Sequence, residues 1–258
     1  MELMHQMTPH LKRLRLSGIL ETLEVRNQQA IDGRWTYVEF LARLVEDEVE
    51  RRAQKQLGLR IRRAAINGAK TLETFNFDFN PTINRQQILD LATCTYIRQK
   101  RNALICGPTG VGKTHLAQAL AHEACRRGYS VLFVNTYRML QHINGGRADD
   151  NLERRLQTYL RPELLVLDDF GLKPLRSPSP EDLYDVINGR YEQGSILLTS
   201  NRALEEWPGL FGDPLLASAG LDRLTHRADV VLITGSSYRA QRPRRAEQEV
   251  PVDTSFTS

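Results

Sequence analysis

Residues 107–114, "GPTGVGKT", set Gly107 and Gly112 around four residues and follow them with Lys113 and Thr114, a complete G-x-x-x-x-G-K-[ST] pattern. Such a loop holds phosphates for definite reasons. Glycines let backbone N–H groups turn inward around an anion, and the helix that follows aims its positive end at the same charge. Lys113 would place a point charge on the β and γ phosphates, and Thr114 would offer its hydroxyl to Mg²⁺. Gly107, Pro108, Thr109, Gly110, Val111, Gly112, Lys113 and Thr114 are thus the candidate nucleotide-binding residues.

The loop needs a further Mg²⁺ ligand, and "LLVLDDFG" supplies one: an apolar strand delivers Asp168 to the cleft at its carboxyl end, with Asp169 next to it. Where ATPases of this kind carry Glu as the group that orients or deprotonates water, Asp169 is one methylene shorter, which leaves turnover speed open. "LLTSNRA" ends another apolar run, and Asn201, ahead of Thr199 and Ser200, is the candidate to hold the attacking water. Arg223 precedes a last apolar run and Arg239 follows it. Either could stabilise the charge that develops in phosphoryl transfer, or lie on the surface.

These residues must be carried by a frame, and apolar runs at 102–106, 130–135, 163–168, 195–200 and 230–234 alternate with helical segments. That alternation predicts an α/β fold with a five-stranded parallel sheet covered on both faces. Upstream, residues 35–66 read as one long helix with Thr36 as N-cap and Glu39 completing a capping box. Its apolar face shifts from Tyr37, Phe40, Leu41, Leu44 and Val45 to Ala53, Leu57, Ile61 and Ala64. The helix therefore either breaks near Gly58 or packs on different neighbours along its length. Phe75, Phe77 and Phe79 lie in a turn-rich linker that docks on the domain after it, with Phe75 and Phe77 either bordering the adenine or serving only as the dock.

The chain has 258 residues, 41% hydrophobic and 26% charged, which suits one large domain with an appendage and excludes fibrous or wholly disordered classes. No transmembrane run or signal-peptide core is present, so a cytoplasmic protein is expected. Cys94, Cys106 and Cys125 show no zinc spacing and read as buried, reduced thiols. His5, His10, His122, His142 and His226 lack partners for chemistry, and Trp35 and Trp207 read as packing anchors. The net charge is +4, and between Arg51 and Arg63 there are six basic residues and no acid. On its own that stripe is a solvated helix face.

The segments "GPTGVGKTHLAQALAHEA", "LLVLDDFG", "INGRYEQGSILLTSNRALEEWPGLFGD" and "LDRLTHRADVVLITGSSYR" resemble the IstB family, AAA+ ATPases carried with a transposase by insertion sequences and similar to DnaC helicase loaders. His115, "RYE" and "SYR" make the resemblance more specific than the phosphate loop does, and His115 joins the nucleotide-binding candidates. It implies an AAA+ P-loop core, placed at 68–240, and a small all-α N-terminal domain at 1–67 that binds DNA or a partner; the resemblance stops after Arg239, and the tail at 241–258, with little to bury, is expected to be disordered. It implies ATP or ADP with Mg²⁺, double-stranded DNA, a partner transposase and a homo-oligomer, ring or filament. By the same resemblance Asn201 is sensor 1, Arg223 an arginine finger offered to a neighbour's ATP, and Arg239 sensor 2. Arg51, Arg52, Lys55, Arg62 and Arg63 then become candidate DNA-phosphate contacts. The rival readings are a helicase loader, an architectural DNA-binding protein that hardly turns ATP over, and a small-molecule P-loop kinase.

Overall fold

The sheet order is β2-β3-β4-β1-β5, with every pairing parallel, in a computed structural model that describes residues 2–238. Its strands are β1 Ala103–Cys106, β2 Val131–Asn135, β3 Leu164–Phe170, β4 Ser195–Ser200 and β5 Asp229–Leu232. Three helices come first, α1 Glu2–Arg13, α2 Ser17–Gly33 and α3 Tyr37–Arg63, and then α4 Arg85–Ala92 and α5 Thr95–Arg98 lead into β1. α6 Lys113–Arg126 joins β1 to β2, while α7 Thr136–Gly145 and α8 Leu152–Leu160 join β2 to β3. α9 Ser179–Arg190 leads to β4, and α10 Pro208–Phe211 and α11 Pro214–Thr225 lead to β5. Among the described residues no helix is long and apolar enough to cross a membrane.

The continuous apolar runs are explained by burial on both faces. Ala103, Ile105, Leu164 and Val166 meet Leu116, Leu120 and Ala124 of α6 on one side. Leu104, Leu165, Leu167 and Leu198 meet Met139 of α7, Val186 of α9 and Leu224 of α11 on the other. A strand that alternated polar and apolar residues would bury charge under one of these layers.

α3 runs unbroken through Gly58, so the change of apolar face reflects a change of neighbours. The expected capping box forms: Thr36 Oγ1 accepts from Glu39 N–H at 3.3 Å, and the Glu39 carboxylate accepts from Thr36 N–H at 2.7 Å. Of the expected apolar face in the first half, only Leu44 is buried and Phe40 half-buried, whereas Tyr37, Leu41 and Val45 are exposed. The reason is the angle of approach of α2. Gly18 touches the α3 backbone, where an added Cβ would lie 2.6 Å from Asp47 O. Buried Glu48 accepts from Gly18 N–H at 2.7 Å and Ile19 N–H at 3.3 Å, capping α2 from outside. Contact is thereby confined to the Phe40–Leu44–Glu48 side. In the second half Leu57 and Ile61 pack on the hydrophobic core between sheet and α6, and Ala64 is fully buried, whereas Ala53 is exposed.

Of the basic stripe, Arg51 pairs with Glu21 and Arg52 with Glu48, each at 2.6 Å. Lys55, Arg62 and Arg63 are exposed. The three cysteines are buried and free, and burial pushes each thiol up to about 11. Trp207 is buried edge-on to Phe170, while Trp35 is half-buried.

Candidate nucleotide site

The loop 107–112 leaves β1 at its carboxyl end and turns into α6 through Gly112, whose φ of +100° favours glycine. Gly107 is needed for space, because a Cβ there would sit 2.2 Å from Ile233 O. Lys113 folds back over the loop, its Nζ donating to the carbonyls of Gly107 and Pro108 at 2.7 Å each. The loop lies against a cavity of about 650 Å³ lined also by Phe75, Phe79, Asp168, Asp169, Asn201 and Tyr238. That volume is within the range of small-molecule and cofactor sites.

Thr114 Oγ1 donates to Asp168 at 3.0 Å, so hydroxyl and carboxylate meet beside the phosphate loop. Two hard oxygen ligands next to a phosphate cradle fit Mg²⁺, which takes its remaining ligands from phosphate and water. Burial raises the Asp168 carboxyl above the usual Asp range; Asp169's charge adds to the rise, and hydrogen bonds from Thr199 and Thr114 oppose it. A divalent cation at this point would remove that conflict.

Regular pleating would send Asp168 and Asp169 to opposite faces. The register between β3 and β4 shifts between Leu167 and Phe170, and Asp169 takes φ +58°, so both carboxylates border the cavity. Thr199 stitches this bulge: its hydroxyl donates to Asp168 Oδ1 at 2.6 Å and accepts from Asp169 N–H at 3.0 Å. Of the three candidates at the end of β4, Thr199 touches the acidic pair, Asn201 lines the cavity beyond it, and Ser200 donates to Phe170 O.

Asn135, at the end of β2, was not anticipated. Its Nδ2 donates to Asp169 Oδ2 at 3.3 Å while its Oδ1 caps α7. The signal was present, since "VLFVN" ends in a polar residue as the Asp168 strand does. His115 lines the cavity, but its ring bridges to Thr71 O at 3.3 Å and Phe75, and burial lowers its pKa. It anchors the linker to α6. Phe75 therefore both docks and borders the cavity, while Phe77 packs into the core.

Arg223 lies at the other end of the sheet, on α11 ahead of β5, with Nη1 donating to Ala219 O at 2.9 Å and its guanidinium 5.6 Å from the Tyr184 ring centre. Arg239 lies outside the described residues; Tyr238, just before it, lines the cavity and donates its backbone N–H to Gly110 O at 3.0 Å. The tail at 241–258 is also outside them.

Solved structures share the fold. A DnaC helicase loader matches with a TM-score of 0.55 at 22% identity, over 64% of this chain and 96% of that one. DnaA bound to AMPPCP and single-stranded DNA matches with a TM-score of 0.55 at 24% identity, over 67% of this chain and 52% of that one. An insertion-sequence ATP-binding protein of Mycobacterium tuberculosis is 41% identical over 91% of this chain and 94% of its own length. The ATP-binding protein of insertion sequence IS21 from Pseudomonas aeruginosa is 36% identical over 94% and 92%. Residues 9–246 match the family described as IstB-like ATP binding protein, and the chain, an AAA+ fold built around a phosphate loop, belongs to that family.

Proposed function

We propose that this protein hydrolyses ATP as an oligomer on double-stranded DNA and thereby helps a partner transposase, with residues 1–67 as the DNA- or partner-binding unit. The observation that carries the reading is the convergence of Thr114 and Asp168 beside Lys113 and the phosphate loop, with Arg223 at the far end of the same sheet. ATP phosphates would lie along 107–114, and Mg²⁺ held by Thr114 and Asp168 would neutralise charge between the β and γ groups. Asp169 orients water for in-line attack, its carboxylate held by Asn135 and its backbone by Thr199, and Asn201 bounds the water's position. Arg239 would meet the phosphates of its own subunit.

Arg223 cannot reach its own nucleotide from the amino ends of the strands, so it acts on a neighbour's. Turnover is then tied to assembly into a ring or filament, because the charge-stabilising group belongs to another chain. The basic side of α3, repeated along such an assembly, supplies sequence-independent phosphate contacts. A cytoplasmic location belongs to the same reading, since ATP and double-stranded DNA are met together there.

The test is ATP hydrolysis by the wild type, Lys113→Ala and Arg223→Ala without DNA, with single strands and with duplex, following assembly size in the same samples. Duplex-stimulated turnover with large ATP-dependent assemblies, lost in both variants, is the expected result. Full turnover by Arg223→Ala would end the trans assignment, and single-strand preference with small assemblies would mark a helicase loader instead.

A further inference from the structure

A second cavity, of about 200 Å³, opens at the amino ends of β1, β4 and β5, on the edge of the sheet opposite the phosphate loop. Its lining includes five permanent cations, Lys100, Arg101, Arg190, Arg223 and Arg227, and one carboxylate, Glu192. Such an excess of one sign in a concave site concentrates an anion.

The cations are not all neutralised from within. Arg190 is buried and spends its guanidinium on neutral carbonyls, among them Tyr159 O and Ser195 O, and burial lowers it to about 10. Arg101 pairs through Nη1 with Asp229 at 3.2 Å, and the Nε atoms of Arg190 and Arg101 are buried without an acceptor among the described residues. Arg227 is exposed and makes no side-chain hydrogen bond or ion pair among the described residues. Lys100, Glu192 and Arg227 all hold left-handed φ, at +56°, +57° and +54°, in positions before a strand where glycine or asparagine is the usual residue. The same conformation follows helices at Arg15, Arg34 and Ala65, so it is the excess of cations over carboxylates in the lining, not the backbone, that points to a use for this cavity.

That use is not the chain's own nucleotide. Parallel strands separate the two cavities by about six residues of extended chain, roughly 20 Å. An open edge of one kind facing an open edge of the other is the geometry of head-to-tail assembly. We propose that this cavity receives the terminal phosphates of the nucleotide held by a second copy of the chain, and that Arg227 contacts them together with Arg223. This rests on the head-to-tail reading above and adds a second phosphate-contacting cation to it. Arg223 sits on the last turn of α11, its guanidinium turned back to Ala219 O, and Arg227 lies just past the helix end, and both line this cavity.

The test uses Arg227→Asn, which removes the charge while tolerating the left-handed backbone, and Arg227→Lys, which keeps the charge. The unassembled Arg227→Asn protein should bind a fluorescent ATP analogue within about twofold of wild type, whereas assembled turnover falls about tenfold or more and Arg227→Lys recovers part of it. Mixing Arg227→Asn with Asp169→Asn, which keeps the phosphate loop that assembly needs but lacks the carboxylate that orients water, should restore turnover, since in a random equal mixture about half of the intact acidic pairs face an intact cavity. Loss without restoration would mean that Arg227 acts within its own chain, and would overturn the proposal. So would wild-type turnover by Arg227→Asn: if Arg223→Ala is inactive the proposal alone fails, and if both turn over normally the head-to-tail reading fails with it. Tripolyphosphate binding to unassembled Lys113→Ala that depends on Arg227 would identify a site for free polyphosphate, and a loss of duplex affinity at unchanged turnover would identify a DNA contact; either displaces the neighbour's nucleotide.

Discussion

At Asp168 function and stability oppose each other. Its carboxyl is buried, bordered by Asp169's charge, and raised above the usual range, so ionisation costs the folded state more than the unfolded one. The stability cost is absent below the unfolded value near pH 4, grows as pH climbs through the raised folded value, and persists above it. Asp168→Asn removes it. In the absence of nucleotide and Mg²⁺ this variant should melt higher than the wild type at pH 7, with no gain at pH 4. It should lose hydrolysis by about two orders of magnitude or more, since Thr114 then lacks its carboxylate partner. Calorimetry at the two pH values with a turnover assay checks both signs.

At the scale of elements, α3 joins the N-terminal helices to the ATP-binding core, and its two halves answer to different forces. In the first, Arg26 holds the Asp47 carboxyl down at about 2 through a paired hydrogen bond at 2.7 and 2.8 Å. Its stabilisation is fully present above about pH 4 and is lost as pH falls toward 2. Because the pair is partly exposed, about 1 kcal/mol is at stake, and hydrogen exchange should show α2 loosening from α3 across that window before the sheet opens. In the second half, an added Cβ at Gly58 would meet nothing within 4 Å. Gly58→Ala should therefore stabilise the protein by about 0.5–1 kcal/mol by restricting the unfolded chain, which chemical denaturation will read.

Across the whole molecule, the two ends of one parallel sheet divide the proposed labour: phosphate loop, Asp168 and Asp169 at the carboxyl ends, Arg223 and Arg227 at the amino ends. The basic side of α3 stands apart from both, and its members are not equivalent. Arg51 and Arg52 are committed to Glu21 and Glu48, whereas Lys55, Arg62 and Arg63 are exposed. Replacing the last three by Ala should lower the slope of log affinity for duplex DNA against log salt by about 2–3, and replacing the first two should change it less. Fluorescence anisotropy over a salt series separates the two sets.

The sequence alone determined whatever depends on neighbours along the chain. The phosphate loop, the Thr36–Glu39 capping box and the five apolar runs are local patterns, because glycine conformation, helix capping and burial on both faces each act within a few residues. Tertiary structure decided what depends on separation in space. The bulge that turns Asp168 and Asp169 to one cavity, the choice of Thr199 as the hydroxyl between them and the amide of Asn135 on Asp169 arise only when β2, β3 and β4 lie side by side. So does the exposure of Tyr37, Leu41 and Val45, set by the close approach of Gly18 to α3. The cationic cavity gathers Lys100, Arg190 and Arg227 from chain positions far apart, and no spacing in sequence encodes it, because parallel order alone brings the amino ends of β1, β4 and β5 to one edge.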